Sequence, residues 1–90
     1  MPEATRLPDA DTRVLLLALA ARLSAERPTE PMRRSVLDAL ALTFAVRRHG
    51  QTHRADVAEA SLLKHAPDVP DGASRGQYAR LLRLAAGGEG

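Results

Sequence analysis

The chain reads as an all-α protein, a small four-helix bundle whose first two helices form a long antiparallel hairpin. Three observations predict this. Four runs place apolar residues at three- and four-residue steps, the spacing of one helix face. Each run is bounded by a capping residue, a proline or a glycine. Material for a sheet is scarce, because Ile is absent and Val and Thr are few and scattered.

Residues 1–8 are expected to form a disordered tail, since Pro2 and Pro8 disfavour helix and nothing apolar repeats. Asp9 or Asp11 then caps a first helix running to about Ala25. Its residues Val14, Leu15, Leu16, Leu17, Leu19 and Leu23 point in most directions. A helix that is apolar all round is buried in its own domain or in an assembly. Three further helices in 90 residues leave little chain to enclose it. Leu15, Leu16 and Leu19 are therefore expected to lie in an interface with a second copy or another protein.

Pro28 marks a short link, which favours an antiparallel neighbour. The second helix spans Met32 to His49, free of Pro and Gly, and the rest of the chain is organised around it. Met32, Val36, Leu37, Leu40 and Phe44 share one face. Thr29 is the expected N-cap, with Glu30 and Pro31 in the first turn. Arg34 and Asp38 are spaced to pair. Arg47, Arg48 and His49 suit the negative end of the helix dipole, and Gly50 supplies the positive-φ stop. Leu42 and Val46 lie off the main face and join the expected interface.

Gly50-Gln51-Thr52 turns the chain into a third helix, about Arg54 to Ala66, carrying a thin stripe of Ala55, Ala58, Leu62 and Ala66. Asp56 with Glu59 offers an alternative capping box. Pro67 ends this helix by disfavouring helix at the residue before it. An extended loop with an Asp71-Gly72 turn follows. Ser74 with Gln77 forms a capping box for a fourth helix, whose buried face is Tyr78, Leu81, Leu82 and Ala85. Gly87-Gly88 stops it, leaving residues 87–90 as a disordered tail around a single domain at 9–86.

Composition narrows the function. With no Cys there are no disulfides, thiolate nucleophiles or Cys-based zinc sites. Phe44 and Tyr78 are the only aromatics, so the core is aliphatic and the base-stacking route to single-stranded nucleic acid is poor. Arg makes up twelve of the thirteen basic residues, a usage expected of a GC-rich bacterial genome. The longest apolar run, Val14 to Ala21, is far short of the ~20 residues of a membrane span. It resembles a signal-peptide core, but the acidic residues Glu3, Asp9 and Asp11 precede it where a positive segment belongs. The expected compartment is the cytoplasm, with no membrane association.

The net charge of +2 is unevenly spread. Arg33, Arg34, Arg47, Arg48 and Arg54 outweigh Asp38 over residues 31–54, whereas Asp56, Glu59, Asp68 and Asp71 outweigh Lys64 over 55–73. The segment from Arg47 to Arg54 is the strongest candidate for contacts to phosphate or an acidic partner, through Arg47, Arg48, His53 and Arg54. The competing reading is a solvated helix end that satisfies its dipole. The corner is a poor match to a DNA reader, because the helix before it is long and the one after it offers mostly Ala and acid.

Other constellations are weaker. His49, His53 and His65 with Asp56 or Glu59 imitate a metal set, but Gly50 breaks the helix between the first two. Ser61 and His65 are four apart, with no third group to orient them. Gly72 to Gly76 opens a helix whose free N–H groups would bind an anion, though the motif lacks a Walker ending. The sequence therefore predicts a non-enzymatic interaction or regulatory module, acting through apolar helix faces as a homodimer or a subunit of a larger complex. No cofactor, metal or catalytic residue is expected. The alternative is a small DNA-binding regulator using Arg47, Arg48 and Arg54, with Arg75, Arg80 and Arg83 as a second patch.

Overall fold

In the computed structural model, which describes residues 8–87, Asp9 starts the first helix. Its carboxylate accepts the Thr12 N–H at 2.8 Å, satisfying one of the free donors at the start of α1, Ala10–Ala25. The Glu26 N–H closes the last turn on the Arg22 carbonyl, and the two side chains pair at 2.8 Å. Of the tails expected to be disordered, residues 1–7 and 88–90 lie outside the described residues.

The second helix begins later than the sequence suggests. α2 spans Arg34–His49, and its N-cap is Arg33, which makes no side-chain capping bond. Thr29 is therefore not the cap. Residues 28–32 are held by the start of the fourth helix instead. The Met32 N–H donates to Ala73 at 2.9 Å, Arg75 to Glu30 at 2.9 Å, and Gly76 to Pro28 at 2.8 Å. Pro31 faces Ser74 in an isolated antiparallel bridge. Glu30 precedes a proline and so favours an extended backbone, which suits this pairing better than a helical turn. Gly50 follows α2 with φ +73°, where a side chain would be strained.

α3 spans His53–His65 and ends where Pro67 requires, with Ala66 extended. Its N-cap is Thr52, so the Asp56–Glu59 box is not used. The Thr52 hydroxyl donates backwards to the His49 carbonyl at 3.1 Å, tying off α2. Gly72, at φ +79°, makes the expected turn. α4, Arg75–Ala85, opens with the reciprocal Ser74–Gln77 capping box.

These four helices form a small bundle with no strand among the described residues. The most extensive pairings are α1 with α4 and α2 with α3, and α1 also touches α2 and α3. α1 is thus lined on three sides. Its Asp11 flank faces α2, Thr12 meets Ser61 of α3 at 2.7 Å, and Arg13 donates to the Ala86 carbonyl after α4 at 3.0 Å. Tyr78 fills the middle of the core, and its hydroxyl donates to the Pro67 carbonyl.

This enclosure corrects one expectation. Leu15, Leu16 and Leu19 are 2%, 0% and 0% exposed and belong to the core of the chain itself. They are unavailable as an interface. The reason lies in the neighbours, since Ala41, Ala45, Ala55, Ala58 and Ala79 are all buried. Small side chains at these contacts let helices approach closely, so three short helices suffice to surround a fourth. Leu42 is 50% exposed, whereas Val46 is half-buried against the core.

Candidate functional site

Arg47, Arg48, His53 and Arg54 converge where α2 turns into α3, beside the start of α1. All but Arg47 line an open cleft of about 480 Å³ with Asp9, Asp11, His49, Val57 and Ser61. The cleft is less basic than the sequence suggests. Arg48 Nε donates to one oxygen of Asp11, and His49 Nε2 meets the other at 2.9 Å. Burial by itself raises the Asp11 carboxyl, but hydrogen bonds from Arg48 and His49 outweigh it and hold the group below its usual value. Asp9 is held low chiefly by the Thr12 backbone N–H. Arg47 leans over the Phe44 ring, 5.7 Å from its centre. Exposed Asp56 stands one turn into α3. In the cleft Arg48 and Arg54 therefore stand among two aspartates, Asp9 and Asp11. The two from α1 lie 37 and more residues away along the chain, and no local pattern announces them.

The start of α4 is closed to an anion. Arg75 and Gly76 give their N–H groups to Glu30 and Pro28, and Gln77 gives its own to the Ser74 hydroxyl at 3.1 Å. The second arginine patch is also dispersed. Arg80 is exposed, Arg83 donates to Ser24 at 3.0 Å, and Arg75 is half-buried with its Nε unpartnered among the described residues.

Ser61 and His65 do not meet through their side chains. The Ser61 hydroxyl pairs with Thr12, and His65 Nδ1 donates to the Ser61 main-chain oxygen at 3.0 Å. Among the described residues, no group of three or more His, Cys, Asp or Glu side chains is placed to hold a metal ion. No helix there is long and apolar enough to cross a membrane.

The outer surfaces of α1 and α2 differ from these polar corners. On α1 the exposed residues after Arg13 are Val14, Ala21 and Ala25, with Leu17 and Ala18 half-buried beside them. On α2 a stretch of Ser35, Ala39, Leu42 and Thr43 is exposed, with Val46 half-buried. Charged side chains flank both strips: Asp11, Arg13 and Arg22 on α1, and the exposed Arg34–Asp38 pair on α2. Between the two helices Val36 and Leu40, half-buried, line a cleft of about 320 Å³ with Arg22, Glu26 and Arg75, and half-buried Phe44 follows one turn on. The α1 face escaped the sequence reading because a helix apolar all round does not announce which side its neighbours will cover. No protein-family model matches the chain, and no curated protein or solved structure is significantly similar to it.

Proposed function

We propose that this protein is a non-enzymatic interaction module of the cytoplasm, regulating or assembling with a protein that docks on the apolar outer strips of α1 and α2. The observation that carries this reading is the exposure of two large apolar side chains, Val14 at 45% and Leu42 at 50%, on the outer sides of α1 and α2. A solvent-facing helix side normally carries charged or polar residues. Exposed apolar residues grouped on neighbouring helices and rimmed by polar ones are the usual mark of a docking site. Asp9 and Asp11 line the same cleft as Arg48 and Arg54, which weighs against the duplex-binding alternative.

The test is co-purification from the native host, comparing the wild type with Ala21→Glu/Leu42→Glu. Both positions are exposed, so the fold should tolerate the changes to within about 0.5 kcal/mol each. The expected result is a bound protein, a second copy of the chain included, that the double variant loses. A partner retained by the double variant but lost on changing Arg47, Arg48 and Arg54 to Glu would move the function to the corner.

A further inference from the structure

We propose that α1 pairs antiparallel with α1 of a second copy, about a two-fold axis passing between Leu17 and Ala18. This deepens the interaction reading above and rests on it. The free side of α1 is flanked by α2 on one hand and α4 on the other. Its six positions, Ala10, Val14, Leu17, Ala18, Ala21 and Ala25, are symmetric about the midpoint of Leu17 and Ala18. An antiparallel copy centred there sets Val14 against Ala21 and Ala10 against Ala25, with Leu17 and Ala18 each beside its own mate at the axis. Val14 thus meets an alanine, and the two Leu17 side chains meet at the axis as the apolar centre of the contact. A parallel copy would instead stack Val14 on Val14 and leave Ala21 against Ala21.

Charge supports the same arrangement. On the α2 flank, the Asp11–Arg48 pair stands near one end of α1 and the Arg22–Glu26 pair near the other. The two-fold brings Arg22 to the level of the second copy's Asp11, and Glu26 to the level of its Arg48. On the α4 flank, Arg13 and Arg83 are bonded back onto Ala86 and Ser24 of their own chain. The dipoles of the two α1 helices oppose, which is favourable.

The chain has no cysteine, so engineered ones report geometry directly. Under this two-fold, Ala18 of each copy lies within about 1.5 Å axially of its mate, whereas Val14 lies about 10 Å from Val14, beyond the reach of a disulfide. Purified Ala18→Cys should therefore oxidise to a covalent dimer. Val14→Cys and Ala21→Cys should each stay monomeric alone and cross-link when mixed. Sedimentation of the unmodified protein at high micromolar concentration should give a dimer mass that Ala21→Glu halves. A monomer mass, or cross-linking of Val14→Cys by itself, overturns the proposal. If that failure comes with a different host protein captured through the same faces, the interaction reading stands and only the self-pairing falls. If no protein depends on those faces, both fall.

Discussion

Leu16 and Leu19 lie at the centre of α1 with no exposed surface, and truncating either tests whether the chain encloses its own most apolar helix. Leu→Ala removes three carbons, worth roughly 2.4 kcal/mol at about 0.8 kcal/mol per buried CH₂. The cavity left behind adds to that, so the expected loss is about 3 kcal/mol for each variant. Total stability for a domain of this size is about 5–15 kcal/mol, so either change removes a large share. With a urea m-value of about 1–1.5 kcal/mol/M, the midpoint should fall by roughly 2–3 M. Circular dichroism during urea unfolding, at two protein concentrations for each protein, gives the difference with association held common. The expected loss is the same at both concentrations. A loss below about 1 kcal/mol, accompanied by weakened self-association, would return these leucines to an interface and refute the enclosed core.

Three further outcomes follow from particular contacts. Burial pushes the Tyr78 phenol up to about 12, so the stability it confers is full below pH 10 and is lost as pH rises from 10 towards 12. As the only tyrosine in a chain without Trp, it should show no tyrosinate absorbance at pH 10.5 while the protein stays folded, and Tyr78→Phe should cost about 1 kcal/mol through the lost bond to Pro67. The Asp11 carboxyl is depressed, so its contribution is present above the ordinary carboxylate value and is lost as pH falls through the lowered one. Asp11→Asn should therefore unfold more easily than the wild type at pH 6, by a margin that shrinks as the pH falls below the ordinary carboxylate value. Its side chain is a third exposed, so the gap should be no more than about 1 kcal/mol. Gly76→Ala should destabilise by about 1 kcal/mol despite the better helix propensity of Ala, because the new Cβ meets Pro28 Cβ and O at 3.3 Å. A rise in melting temperature would mean that Pro28 yields, although the Gly76 N–H holds it.

What was legible in the sequence was local. The Ser74–Gln77 box, the stop before Pro67, the Asp71-Gly72 turn and the Arg34–Asp38 pair need only residues within four of each other, and each forms as its spacing implies. What was not legible depends on distant chain. Thr29 had the chemistry of a cap, but its neighbours bond to residues 73–76 instead. Arg48 and His49 looked free because Asp11 is far away along the chain. Leu15, Leu16 and Leu19 looked surplus because counting helices says nothing about how closely alanine contacts let them pack.

The pairing of α1 with α4 also sets an order of events during synthesis. Ala25 closes α1, yet the helix that covers it most extensively is complete only at Ala85. At about 5–20 residues per second, the ribosome needs roughly 3–12 s to supply it. For that interval Leu16, Leu19 and Leu23 have no finished core to enter, and the hairpin with α2 shelters only one flank. The nascent chain thus offers an apolar helix to any holdase near the exit, for longer than a bundle built from consecutive neighbours would.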